Sequence, residues 1–280
     1  MKNKVKIYCM GALALALALT FLRVISLAAF YDAMLGYFSV SPIPIFMNIL
    51  CVASSAWCLS AIFTTKQDPI VTLATPSLTH FKSASAFSAA LFLVSAIAVF
   101  AARGSSRLSF ICTVSLVISS LFFLLALWGK EKSESVRAFA SIAPTASFIF
   151  ILASLYFNLT IAMNSPHKIH GSFVLMSAMV MFLCETRLFL GKPLHRLHLA
   201  VSLLTFVLGI PFALSSVIFI FTAAPSPFIE NPIILGNAGY VGVILGISVY
   251  AVSRAFSFNM TAHGDTELPS EASIQKQENI

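Results

Sequence analysis

The sequence predicts an all-α, polytopic transmembrane helix bundle of about eight spans, with both termini cytoplasmic. Three observations predict it: an apolar excess, a regular alternation of long apolar runs with short polar breaks, and a lopsided distribution of basic residues. Of 280 residues, 59% are apolar and only 10% are charged, whereas a soluble domain is about 45–50% apolar and about 25% charged. Mean hydropathy is +0.94. Such a chain cannot cover itself with a polar surface. A spanning helix needs about 20 apolar residues, so eight use about 160. The remainder makes short loops and one tail, which excludes a soluble catalytic or receptor domain of ordinary size. The formal charge of +7 is not gathered on one polar segment, and nucleic acid is excluded as a partner. The bilayer itself is the predicted surrounding.

The eight runs are 7–30, 43–63, 84–102, 108–128, 139–159, 171–190, 199–221 and 233–253. The first follows Lys2, Lys4 and Lys6, and Ser26-Leu27-Ala28 has the small residues of a cleavage site. A removed signal peptide is therefore the alternative for this run. Its length and the presence of Arg23 favour a retained helix. Residues 64–83 form the longest internal loop and, with Pro69 and Pro76, read as irregular. Residues 1–255 are expected to form the bundle, and residues 256–280 a disordered cytoplasmic tail, polar and rich in Glu and Ser.

Eight spans put both ends on one side. That side then carries Lys2, Lys4, Lys6, Lys66, Lys82, Lys130, Lys132, Arg137, Lys192, Arg196, Arg254 and Lys276; the other carries Arg103, Arg107 and Lys168. Twelve basic residues against three make the first side cytoplasmic.

Ionisable groups inside a bilayer are costly, so each is a candidate functional residue. Glu185 is the only carboxylate within an apolar run, about a turn and a half from the end of the sixth span. Arg187 lies about 200° round the helix and should not pair with it; it is placed to reach the inner interface. Glu185 has a shorter reach and is expected to face the bundle, protonated or paired with a donor from another helix. It is either a coupling or substrate-binding carboxylate or a structural hydrogen-bond acceptor. Arg23 lies in the outer part of the first span, at a different depth from Glu185, and either snorkels or binds an anion.

Two HxxH pairs occur, His167/His170 and His195/His198. That spacing puts both rings on one helix face, but the sixth span separates the pairs by about 30 Å. They read as interfacial polar residues; neither metal nor another cofactor is expected. The five cysteines (Cys9, Cys51, Cys58, Cys112 and Cys184) sit in apolar runs without a CxxC and read as small packing residues. Pro144 and Pro211 fall inside the fifth and seventh spans and are predicted kinks. Gly242 and Gly246 form a small flat face for helix packing, within one chain or across a homodimer. No GxSxG, HExxH, phosphate loop or paired intramembrane aspartates are present, so no catalytic residue is assigned.

Met163-Asn164-Ser165-Pro166-His167-Lys168, Glu185-Thr186-Arg187 and Gly191-Lys192-Pro193 together resemble a stretch of uncharacterised multi-pass membrane proteins of clostridial-type bacteria. The resemblance implies a bacterial cytoplasmic membrane and a polar centre around Asn164, Lys168, Glu185 and Arg187. It implies no substrate. Three functions stay open on the sequence: a small-solute transporter or permease, a non-catalytic sensory or assembly subunit acting through a membrane-protein partner, and an enzyme acting on a lipid substrate. The enzyme reading is the weakest, for want of a nucleophile and base.

Overall fold

The computed structural model describes residues 2–32, 37–65, 79–103, 107–127, 134–157, 165–222 and 232–264. They form nine helices and one two-residue antiparallel ladder. The helices are α1 (Lys2–Phe30), α2 (Pro42–Thr64), α3 (Thr79–Arg103), α4 (Arg107–Leu127), α5 (Glu134–Ala140), α6 (Ile142–Phe157), α7 (Pro166–Phe189), α8 (His195–Thr222) and α9 (Pro232–Gly264). The ladder pairs β1 (Tyr31–Asp32) with β2 (Tyr37–Phe38) and turns the chain from α1 into α2. Eight of these segments are long and apolar enough to cross a membrane, with α5 and α6 together making the fifth.

Helix ends follow local chemistry. Prolines at the first turns of α2 and α7 need no ladder donor there. Ser165 caps α7, its hydroxyl accepting from the Lys168 amide at 3.2 Å. At the other end Gly191 adopts φ +71°. Its amide donates to Leu188 O and that of Lys192 to Arg187 O, which satisfies the last carbonyls of the helix. The break between α5 and α6 falls at Ser141, one turn before Pro144, whose ring excludes a ladder bond to residue 140. The kink predicted at Pro144 is thus a helix break three residues upstream. Pro211 lies buried inside α8, which continues through it. Several boundaries differ from the hydropathy reading, with α1, α3, α5 and α7 each starting five residues early. Helix α3 starts at Thr79, inside the expected 64–83 loop, and α9 runs to Gly264, beyond the expected start of the tail at residue 256. Residues 66–78 and 265–280 lie outside the described residues.

Six helices close a circuit, each packed on the next: α3, α4, α6, α7, α8, α9 and back to α3. Helices α1 and α2 pack together on the outer side of α8, and α1 also touches α9. Hydropathy hardly distinguishes the faces of α1, yet its packing is one-sided. Cys9, Ala12, Ala16, Leu19, Arg23 and Ser26 recur every three or four residues and are buried, while Met10, Leu13, Leu17 and Phe21 point outward. Small and hydroxylated residues go in and large apolar ones go to the lipid side, because burying apolar surface against a neighbour gains nothing over lipid tails whereas close backbone approach does.

Hydroxyl bonds tie several neighbouring helices. Tyr8 Oη shares protons with Ser60 Oγ and Thr64 Oγ1 at 2.8 Å across α1 and α2. Ser119 and Ser147 meet at 2.5 Å across α4 and α6, and Ser141 and Thr186 at 2.7 Å across α5 and α7. Thr205 donates to Ser177 at 3.1 Å across α8 and α7. Ser88 donates to the Gly246 carbonyl at 2.8 Å across α3 and α9.

Gly242 and Gly246 lie within this chain's own packing, against Ser95, Leu91 and Phe92 of α3. Gly239 extends the stripe, and a Cβ there would lie 3.0 Å from the Ser95 carbonyl oxygen and closer still to Val99. A backbone oxygen cannot yield as a side chain can. We therefore expect Gly239→Val to destabilise the bundle by about 2 kcal/mol or more, and Gly191→Ala, strained by its positive φ, by about 1 kcal/mol. Unfolding of the purified variants in micelles checks both. An unchanged Gly239→Val variant would contradict the α3–α9 contact.

Candidate functional site

The axis of the six-helix circuit is filled by aromatic rings. Phe92 of α3, Phe122 and Phe123 of α4, Phe148 of α6, Phe182 of α7 and Tyr250 of α9 touch one another with centroids 4.9–6.4 Å apart. Phe182 and Tyr250 are stacked at 5.6 Å with an interplanar angle of 14°. Large, buried rings thus fill the interior that these helices surround.

Two polar contacts cross this axis, one towards each end, and α9 supplies a side chain to both. Towards the end where α1 begins and α9 finishes, Glu185 of α7 reaches across to α9. Its Oε1 accepts from Arg254 Nε at 2.6 Å and from the Tyr250 hydroxyl at 2.9 Å, and its Oε2 accepts from Arg254 Nη2. The fork is bidentate, the geometry in which Arg recognises a carboxylate best. From α8, His198 Nε2 stands 3.4 Å from Oε1. Glu185 and Arg254 are 0% and 1% exposed, so the pair is sealed from water on every side. Below it the Arg254 guanidinium lies 5.1 Å over the Phe81 ring, close enough for cation–π attraction. Towards the opposite end, Ser154 of α6 and Tyr240 of α9 share a hydroxyl bond at 2.7 Å, both buried. Ten residues separate Tyr240 from Tyr250, which is about 15 Å along a helix.

A third polar contact sits beside the circuit. Arg23 of α1, 1% exposed, donates from Nη1 to His170 Nδ1 of α7 at 2.9 Å. His170 Nε2 donates to the Leu208 carbonyl at 2.8 Å. An arginine only donates and a carbonyl only accepts, so His170 is held neutral with its proton on Nε2. The carbonyl it reaches is next to that of Val207, whose ladder donor Pro211 removes. Arg23 also lies 5.2 Å from the Phe212 ring centroid. Fifteen residues separate His170 from Glu185 on α7, or about 22 Å.

The residues singled out from the sequence therefore divide. Glu185 lies on the axis with Arg254, Tyr250 and His198. Arg23 belongs to the separate His170 contact. Arg187 is exposed and donates back to the Lys192 carbonyl at 3.4 Å, away from Glu185. Lys168 caps its own neighbourhood, Nζ donating to Tyr156 O at 3.4 Å. Asn164 lies outside the described residues, as does the His167 side chain. Pro144 shapes the α5–α6 break and Pro211 faces the bundle interior. The reading of His198 and His170 as interfacial residues is corrected: His198 is buried against Glu185, and His170 is bonded between Arg23 and α8. Arg254, read as a basic residue of the inner interface, is the buried partner of Glu185. A signal for this existed. Gly239, Gly242, Gly246, Tyr250 and Arg254 recur every three or four residues, so Arg254 continues the packed face of α9.

Breaking a buried pair strands the partner. Glu185 cannot reach water if Arg254 is removed, whereas the longer Arg254 can swing towards the end of the bundle if Glu185 is removed. Arg254→Met should thus cost about 3–5 kcal/mol, and Glu185→Gln clearly less. The double variant should recover at least half of the Arg254→Met loss. Denaturant unfolding in micelles measures this; simple additivity of the two single losses would show that the groups do not act as a unit.

No known protein family, curated protein or solved structure matches this chain.

Proposed function

We propose that the chain is a small-solute transporter or permease of the bacterial cytoplasmic membrane, with both termini cytoplasmic and the pathway along the axis of the six-helix circuit. The observation that carries this reading is the pair of polar contacts crossing that axis towards opposite ends, Glu185–Arg254 and Ser154–Tyr240, with side chains filling the space between. A permease that opens to one side at a time needs a closure at each end, and needs each closure to be breakable. Hydrogen bonds and a side-chain ion pair meet that need, since each can be exchanged for solute or water. The eight apolar spans and the cytoplasmic excess of basic residues support the setting. On this reading the described conformation is closed at both ends.

Positive charge at the Glu185 end agrees with a cytoplasmic face there: Lys192 and Arg196 flank it. The alternative, a sensory or assembly subunit, needs neither closure to open.

Labelling of a single cysteine separates the two without knowledge of the solute. Ala178 is 0% exposed and lies one turn from Phe182 on α7. In a chain whose five natural cysteines are replaced, Ala178→Cys should react slowly with a membrane-impermeant methanethiosulfonate added from either side of sealed vesicles. Ala16→Cys is equally buried but lies on α1 outside the circuit, and should react at least tenfold more slowly. Equal, negligible labelling of both positions in folded protein would overturn the permease reading in favour of the subunit.

A further inference from the structure

The ion pair that closes one end also indicates what the pathway accepts. The two partners differ in reach. Glu185 sits on α7 well before its Gly191 terminus, on a short side chain, with its carboxylate fully enclosed. Arg254 sits on a long side chain, ten residues before the end of α9, and can carry its charge towards water when it leaves. When the two part, the carboxylate therefore stays behind. A carboxylate in an enclosed, low-dielectric site is strongly disfavoured unless a cation takes the vacated place.

The walls of that place are already those of a cation site. Glu185 offers both carboxylate oxygens, Tyr250 a hydroxyl oxygen that can also accept, and Phe81 an aromatic face 5.1 Å from the present guanidinium carbon. A carboxylate with an aromatic face is the recognition chemistry of guanidinium and alkylammonium groups. We infer that Glu185, Tyr250 and Phe81 form a binding site for an organic monocation bearing a guanidinium or ammonium group, in which Arg254 is the resident occupant and is displaced by the incoming solute. This rests on the permease reading and gives it a substrate class. A solute that brings no positive charge leaves Glu185 uncompensated and pays that cost in full. The remaining way to neutralise Glu185 is a proton, carried by the carboxylate itself or by His198 at 3.4 Å. Arg254 of α9 also acts on this histidine, and His195 lies one turn back on its own helix.

Methylguanidinium is a suitable probe, and methylurea its neutral counterpart of nearly the same shape. Arg254→Ala vacates a space of alkylguanidinium form. Its unfolding temperature in micelles should rise saturably with methylguanidinium, by about 3 °C or more, and should not respond to methylurea at equal concentration. The response should vanish in Arg254→Ala/Glu185→Gln. Wild-type protein, which needs no altered residue to fold, should show the same selectivity with an apparent Kd at least tenfold weaker, because Arg254 competes. A folded Arg254→Ala that is indifferent to methylguanidinium would overturn the inference and leave a proton as the neutralising group. A responsive Arg254→Ala beside a wholly unresponsive wild type would overturn displacement, making Arg254 a permanent structural partner. Neither result bears on labelling of Ala178→Cys, so loss of the cation site and loss of the permease reading remain distinguishable.

Discussion

The bidentate bond between Glu185 and Arg254 constrains more of this structure than any other contact. It joins α7 to α9, two helices that also meet directly but less extensively than either meets α8. It requires α7 to stop where it does: the turn at Gly191 returns the chain so that His198 enters α8 at the level of the carboxylate. It requires α9 to continue past residue 253, since a span ending there would leave Arg254 in the interface. It also aligns the aromatic filling, because Tyr250 donates to the same carboxylate while its ring stacks on Phe182. Charge, hydrogen bond and ring stacking thus fix one another within two turns of three helices. In a medium that cannot solvate a stray charge, such mutual satisfaction is the condition for having the charges there at all.

The fold was legible from the sequence because the bilayer imposes a length and a polarity on every span. All eight spans emerge as helical segments, the fifth as two helices, with ends shifted by about five residues or fewer except that α9 runs to Gly264. Misplaced ends have local causes. Helix α3 begins at Thr79 because His80, Phe81 and Lys82 can extend a helix beyond the apolar core, and hydropathy reports only that core. The α5–α6 break was legible as a proline but not as a location, since the lost bond lies a turn before Pro144. What hydropathy could not supply was which face of each helix turns inward. In lipid the apolar content of the two faces is similar, and the distinction passes to size. The glycines of α9 carried that signal, and so did the small residues of α1, although neither identifies its neighbour helix.

The polar site was half legible. Glu185 stood out because a carboxylate has no ordinary reason to sit in an apolar run. Its partner did not, because Arg254 lies sixty-nine residues away and just past the expected end of its span, where a basic residue is ordinarily an interface anchor. His198 was obscured by its HxxH partner: the spacing drew attention to a metal face, while the informative relation was to a different helix. His170 and Arg23 were each visible, but bringing them together requires the three-dimensional placement of α1 beside α8.

A buried ion pair is weak support for stability in itself, because well-packed apolar residues of similar volume often hold a core as well or better. This core has ample apolar means. Six rings in one connected cluster fill the axis, and glycine, serine and alanine allow close helix approach around it. A bundle selected only to stand still would gain little from enclosing a glutamate, an arginine and a histidine among those rings, and would bear the desolvation of all three. The same charges are useful where the contact must be exchanged, since an ion pair holds firmly when matched and is lost outright when its partner is replaced. The position of the pair argues in the same direction. It lies on the axis rather than among the lipid-facing helices, towards one end rather than at mid-depth, and on α9, the helix that also supplies Tyr240 towards the other end. On the permease reading, these three conditions are those that a breakable closure has to meet.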